Sequence, residues 1–243
     1  GNTRVLGIRD CSVQRNNQKL MEESLSTMLP EEHKRSVYEY AAKLADAVDY
    51  IGAGTVEFIY DIPSDAVYFM EMNTRLQVEH PVTEVTTGVD IVKKQFEIAA
   101  GGSIEDLKAE EHGYGLEVRV NAEKAVQDAD GLVSFVPTPG EITRCELPEA
   151  DHIQLISMAG EGKVVSPFYD SLIIQIICYG KDRDDAIKKM LDYLDQVVIH
   201  GISTNITLIK RILRDDEFLK GIYDTGYLPS FLERTDVPGL IAE

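Results

Sequence analysis

"FMEMNTRLQVEHPVTE", residues Phe69 to Glu84, sets carboxylates, an amide and a guanidinium among apolar and small residues. Glu71, Asn73 and Arg75 recur at every second position. In an extended strand alternate side chains share a face, so all three point the same way. Just upstream, "TVEFIY" alternates as well, with Val56 and Phe58 on one face and Glu57 and Ile59 on the other. "DIPSD" between the runs is turn chemistry. The spacing predicts an antiparallel hairpin in which an ordinary register can set Glu57 beside Glu71. Like charges directly opposed are destabilising unless a cation lies between them. Two solvated glutamates on an open sheet face are the other reading, and the hairpin alone leaves both open.

The chemistry of these groups narrows the choice. Glu57, Glu71 and Asn73 are hard oxygen donors suited to magnesium or manganese. Magnesium takes one or two carboxylates and completes its shell with phosphate and water, so the pair suits a nucleotide site better than a closed structural ion site. Arg75 can hold a small planar oxyanion through two parallel hydrogen bonds. Glu79 stands in "LQVEHPV", where Pro81 is expected to keep His80 extended and to shape a turn. A carboxylate there, near an anion-binding arginine, can serve as a general base toward a small acid, or simply cap a backbone amide. His80 reads as structural. In "LEVRVNAE", Leu116, Val118 and Val120 fill one face and Arg119 projects from the other. Lys19 in "NNQK" is a point charge suited to phosphate. Singly, each basic residue is more often a surface charge; beside Glu79 and the acidic hairpin they form a set.

Composition sets the outer bounds. The chain has 243 residues, enough for one large domain or two small ones with a real core. A net charge of -18 repels phosphate backbones and argues against nucleic-acid binding. ATP remains admissible if a metal ion and local Lys and Arg offset that field. Cys11, Cys145 and Cys178 are far apart and lack CxxC spacing, which argues against a disulfide framework or zinc site and for reduced thiols in a cytosol-like compartment. No run is long and apolar enough to span a bilayer, and the N-terminus lacks signal-peptide features. The first residue is Gly1 rather than Met, which predicts a fragment or a processed chain.

Residues 4–14 read as extended. Pro30 opens a helix, with Glu31 and Glu32 suited to its positive end and Val37, Ala41, Leu44 and Val48 expected to face a core; Gly52 and Gly54 end it. Asp90 is expected to cap a helix running to Ala100, with Val92, Phe96 and Ala99 buried and Gly101 as the stop. Residues 103–113 are acidic and irregular and predict a boundary near 110. Beyond it come short strands at 116–122, 132–136, 140–146, 153–158 and 171–179. One helix then starts near Asp182, using Ile187, Leu191, Leu194 and Val198, and another near Thr204, using Ile206, Ile209 and Leu213.

The opening stretch closely resembles the signature of the biotin carboxylases, within the ATP-grasp ligases. "RDCSVQRNNQK", "GAGTVEF", "GVDIVKKQ", "EVRVNAE", "PTPGEIT", "PFYDSLI" and "IHGISTN" resemble that family too, in the family's order over about residues 4–228. The E-x-N-x-R element is shared with carbamoyl-phosphate synthases; "LQVEHPVTE" and "PFYDSL" are more specific. The resemblance implies an α+β fold: the C-terminal half of an ATP-grasp core with antiparallel sheet (1–110), a β-rich biotin carboxylase C-terminal domain (111–233) and a tail (234–243). It implies a carbon–nitrogen ligase of an acyl-CoA or pyruvate carboxylase, in which ATP activates bicarbonate as carboxyphosphate and the carboxyl group passes to carrier-bound biotin. Carried over by motif, Glu57, Glu71 and Asn73 hold magnesium or manganese, and Arg75 holds bicarbonate with Gln77 and Val78. Glu79 is the base, Arg119 stabilises the biotin oxyanion, and Lys19 contacts phosphate or bicarbonate. Gln14 and Asn17 approach the ribose, and Ile59 lines the adenine pocket.

The partners implied are a biotin carboxyl carrier, a carboxyltransferase component and a second copy of the chain. The compartment implied is the cytoplasm, or the mitochondrial matrix in a eukaryote. Asn17 stands where many members have His, "EESLS" replaces Glu-Glu-Ala-Pro, Gln175 replaces a common Lys, and "KAVQDADGLV" is longer than usual. The family's N-terminal half, with its lid and ATP-binding lysines, has no match here, so these residues alone are expected to be inactive. A carbamoyl-phosphate synthase relative and a non-catalytic fragment are the rival readings.

Overall fold

Alternation at period two becomes antiparallel ladder throughout the strand pairs whose register is described. The structure, a computed structural model, describes residues 2–15, 18–129 and 133–235. The chain opens with β1 (Arg9–Asp10), β2 (Gln14–Arg15), β3 (Gln18–Lys19) and β4 (Met21–Ser24), followed by α1 (Glu31–Ala47). The hairpin β5 (Thr55–Asp61) and β6 (Ala66–Asn73) leads to α2 (His80–Thr87) and α3 (Ile91–Ala99). Then come β7 (Tyr114–Asn121), β8 (Glu123–Gln127), β9 (Val133–Pro137), β10 (Gly140–Glu141), β11 (Arg144–Glu146), β12 (Ile153–Ser157), β13 (Val164–Val165) and β14 (Leu172–Gly180). The chain continues through α4 (Arg183–Leu194), β15 (Val198–His200), α5 (Ile206–Ile212), α6 (Asp216–Leu219) and α7 (Tyr227–Glu233). The fold is α+β with antiparallel sheets. Among the described residues no helix is long and apolar enough to cross a membrane.

Contacts divide the chain into two compact units, residues 1–10 with 23–114, and residues 11–22 with 115–243. In the first, β1 pairs with the end of β4, Arg9 opposite Ser24 and Asp10 opposite Glu23. Helix α1 follows Pro30 and carries Glu31 and Glu32 in its first turn, where the helix dipole favours them. Its apolar stripe is less covered than expected: no residue of α1 is fully buried, and Val48 is 60% exposed. Helix α1 packs near β6, and a two-stranded hairpin is too narrow to enclose a 17-residue helix.

Helix α3 starts as foreseen, with Asp90 Oδ1 accepting from the Lys93 amide at 2.7 Å, and Gly101 (φ 87°) follows its end. Its expected core does not form: Val92, Phe96 and Ala99 are exposed and Ile91 is the buried residue. Glu84 Oε1 accepts the Ile91 amide at 2.6 Å and fixes that turn inward. Phe96 then stands about 140° round the helix and is 74% exposed. His80, expected extended, opens α2 instead. Pro81 sits in the first turn, where a missing N–H leaves no intrahelical bond unmade.

In the second unit β7, β14 and β12 lie side by side, with β12 and β14 running from Ile153 opposite Cys178 to Ser157 opposite Ile174. Leu116, Val118, Val120, Ile174 and Ile176 are buried, as are Ile187, Met190 and Leu194 of α4, which packs on β14, and Leu208, Ile209 and Ile212 of α5. Gln175, one of the departures from the family pattern, is buried in β14 opposite Ile156. The expected strand at 140–146 divides into β10 and β11, which pair with β13 and β15. Val198, expected on the helix after Asp182, lies in β15, where a β-branched run favours extension. After α7, Arg234 is bound to Asp215 and Glu217. From residue 236 on, the expected tail, like Asn17, lies outside the described residues.

Candidate functional site

Glu57 faces Glu71, and Thr55 faces Asn73, across β5–β6. The register shifts between Glu57 and Phe58, so that Phe58 faces Phe69 and Met70 is the extra residue. Beyond the bulge Ile59 pairs with Tyr68 and is 53% exposed. The Asn73 amide nitrogen donates to Glu57 Oε1 at 3.1 Å and to Glu71 Oε1 at 3.0 Å. Gln77 Nε2 donates to the same Glu57 oxygen at 2.6 Å, while Gln77 Oε1 accepts from Arg9 Nη2 at 2.8 Å. Arg9 also donates to Thr83 Oγ1 at 2.9 Å. A polar chain thus runs from Arg9 through buried Gln77 and half-buried Glu57 to Asn73 and exposed Glu71.

These groups fit a divalent cation. Two carboxylates on facing positions are held by amide donors, and turning the Asn73 amide over would present a third oxygen. Exposure of Glu71 leaves that side accessible to phosphate oxygens. Glu32, His33 and Asp65 also bring ligand atoms within 4.8 Å of one another. There, however, Asp65 is engaged by His33 Nε2 and the Tyr60 hydroxyl, each at 2.8 Å.

Arg75 lies beyond this pair, exposed, its Nη1 donating to the Leu76 carbonyl at 3.2 Å. Glu79 is 3% exposed and stands at the N-cap of α2, where its side chain makes no capping bond to that helix. Val78 is 43% exposed. His80 sets Nδ1 2.8 Å from the Gln77 carbonyl, in keeping with a structural role.

Gln14, Lys19 and Arg119 belong to the other unit. β2–β3 places Gln14 opposite Lys19. Arg15 between them makes a bidentate pair with buried Glu123, at 2.6 and 2.7 Å, and its Cζ lies 4.2 Å from the Phe135 ring centre. The Leu20 carbonyl accepts the Arg119 amide at 3.0 Å, so the residue after Lys19 is tied to Arg119's strand. Arg119 Nε donates to Glu117 Oε1 at 3.3 Å, and Glu117 is fully buried. Sequence reasoning missed Arg9, Arg15, Glu117 and Glu123. The spacing of Glu117 and Arg119 on one strand face was the available signal for one pair; the others are brought together only by folding.

Residues 1–107 match the carbamoyl-phosphate synthase L chain ATP-binding domain, and residues 117–230 match the biotin carboxylase C-terminal domain. An ATP-grasp segment followed by a carboxylase C-terminal domain defines the class. The chain is 45% identical over 242 residues to biotin carboxylase 1 of Bacillus subtilis, covering 98% of this chain and 51% of that protein. It is 42% identical over 232 residues to the biotin carboxylase of Haemophilus influenzae, covering 94% and 49%. The biotin carboxylase domain of Hydrogenobacter thermophilus 2-oxoglutarate carboxylase, solved with MgADP and bicarbonate, superposes with a TM-score of 0.85 at 39% identity, over 95% of this chain and 50% of that one. The chain belongs to the biotin carboxylase family. It spans about half the length of the curated relatives it matches.

Proposed function

We propose that residues 1–110 and 111–233 act as the C-terminal half of the ATP-grasp core and the C-terminal domain of a biotin carboxylase. The enzyme would be a ligase serving an acyl-CoA, pyruvate or related carboxylase. The observation that carries this is the facing Glu57–Glu71 pair bridged by Asn73, a hard-oxygen set on an open sheet face. Magnesium or manganese bound there would neutralise charge on the ATP phosphates. Gln77 holds Glu57 in place, as its 2.6 Å bond supports.

Arg75 binds bicarbonate through its guanidinium, with Val78 beside it, and Glu79 removes the bicarbonate proton. Bicarbonate oxygen then attacks the γ-phosphorus of ATP, ADP leaves, and carboxyphosphate forms. Arg119 stabilises the oxyanion of biotin as the N1 proton passes to the departing phosphate and N1 takes the carboxyl group. By motif, Gln14, Asn17 and Ile59 would serve the nucleoside, and Lys19 the phosphate or bicarbonate. The partners are a biotin carboxyl carrier, a carboxyltransferase component and a second copy of the chain. The compartment is the cytoplasm or, in a eukaryote, the mitochondrial matrix, in keeping with three unbridged cysteines.

The test is ATP cleavage by the complete enzyme with and without free biotin. Stimulation by biotin, dependent on bicarbonate, is expected. Cleavage indifferent to biotin would favour a ligase of the carbamoyl-phosphate synthase kind, whose ATP-binding domain family residues 1–107 also match.

A further inference from the structure

We propose that Asn205 is a positioning residue for Arg119, its side-chain amide fixing the strand from which that guanidinium extends. The inference rests on reading Arg119 as the group that stabilises the biotin oxyanion.

Asn205 stands just before α5, where an asparagine ordinarily caps the helix with its side chain. It makes no such bond, and it is 3% exposed. Its amide turns to β7 instead. Oδ1 accepts the Asn121 amide at 2.8 Å, Nδ2 donates to the Arg119 carbonyl at 3.0 Å, and the Asn205 backbone N–H donates to the Asn121 carbonyl at 3.2 Å.

Residues two apart in a strand present their backbone groups to the same edge. On this edge Leu20 serves the N–H of Arg119, and Asn205 serves its carbonyl and both groups of Asn121. One asparagine therefore does the work of a neighbouring strand at the point where Arg119 leaves the backbone. The clamp continues beyond it: Asn121 Nδ2 donates to Ser171 Oγ at 2.9 Å, and the Ala122 amide donates to the Ser171 carbonyl at 2.7 Å. Ahead of it, Glu117 holds the Arg119 Nε. Backbone on both sides of Arg119 is thus fixed at the point where its side chain leaves the strand.

The experiment compares Asn205→Ala, Asn205→Asp and Arg119→Met in the complete carboxylase. The readout is the ratio of biotin-dependent to biotin-independent ATP cleavage, both measured with bicarbonate. Small misplacement of a catalytic group costs up to about 100-fold. Asn205→Ala is expected to lower the biotin-dependent rate by roughly 10- to 100-fold and the biotin-independent rate much less, so the ratio falls. Asn205→Asp keeps an acceptor for the Asn121 amide but loses the donor to the Arg119 carbonyl, and its ratio falls as well. It decides the matter if the alanine variant does not fold. A purely structural role scales both rates with the amount of folded enzyme and leaves the ratio constant. That outcome, with the ratio lowered in Arg119→Met, overturns the inference alone. A constant ratio in Arg119→Met overturns the reading beneath it. In the unsubstituted enzyme, the Asn121 amide is expected to exchange with solvent as slowly as those of Val118 and Val120; fast exchange also overturns the inference.

Discussion

Glu57 and Glu71 face one another across the β5–β6 ladder, and one amide nitrogen, that of Asn73, bridges their carboxylates at 3.1 and 3.0 Å. Facing like charges oppose the ladder, and the amide only partly relieves this. Function and stability are therefore expected to respond in opposite directions. Glu71→Gln should raise the magnesium concentration needed for half-maximal ATP cleavage, or abolish turnover. In metal-free buffer the same variant should be as stable as the parent or more so, by about 0.2–1 kcal/mol. Magnesium titration of activity and urea unfolding check the two halves. Normal activity at ordinary magnesium would remove Glu71 from the metal set.

Glu79 is buried at the start of α2 and does not cap that helix. If it takes the bicarbonate proton, Glu79→Gln should slow bicarbonate-dependent ATP cleavage by roughly 10²–10⁴-fold with little change in the Michaelis constant for ATP. A loss under about tenfold would assign it to the packing of α2.

The net charge of -18 bears on the 243 residues taken alone. Phosphoryl transfer depends on positioning and on neutralising phosphate charge. Exposed Arg75 and half-buried Lys19 are modest compensation for ATP. Isothermal titration is expected to show weak binding of Mg-ATP to this chain, and labelled bicarbonate no transfer to free biotin. Tight binding, or transfer above background, would place the nucleotide site wholly within these residues.

The sequence foretold the hairpin, the Glu57–Glu71 register and the helix start at Asp90, because turn residues, alternation and caps act over a few positions. The bulge at Met70 was not legible, since regular alternation carries no mark of an inserted residue. Nor was the exposure of Phe96 and Val48, because periodicity shows which helix face is apolar and not whether anything covers it. Arg15 and Glu123 are 108 positions apart, and only the fold joins them. His80 was misread because proline's effect on the preceding residue was given more weight than its tolerance in a first helical turn.

That Arg15–Glu123 pair yields a stability prediction. Both oxygens of Glu123 are engaged, and its side chain is 4% exposed. Arg15 in turn lies over Phe135. Glu123→Gln leaves a largely buried guanidinium without its counter-charge, at a cost of roughly 3–5 kcal/mol. Urea unfolding should show that loss as a lowered midpoint. Arg15→Met, which removes the charge and keeps the apolar stem, should cost less in Phe135 packing but leave Glu123 buried alone. The double variant should be milder than the sum of the two.

Asp215 gives the pH dependence. Its carboxylate accepts from Arg234 at 2.5 and 3.1 Å and from the Tyr227 hydroxyl at 3.0 Å, and it caps α6 through the Glu217 and Phe218 amides. The Arg234 bond is the largest cause holding its pKa below the usual carboxylate range, against a smaller opposing effect of burial. An acid with a lowered folded pKa stabilises the fold above its unfolded value, near pH 4, and that stability is lost as pH falls through the folded value. The unfolded chain binds the proton first on acidification, so stability drops with falling pH in this window. Asp215→Asn keeps a capping oxygen and removes the charge. It should therefore cost about 1–2 kcal/mol at pH 7, and the difference from the parent should close below about pH 4. Unfolding midpoints measured from pH 7 down to pH 2.5 check this. A gap that stays constant across that range would mean that the charge at Asp215 adds nothing and that the loss comes from altered bonding to Arg234 and Tyr227 alone.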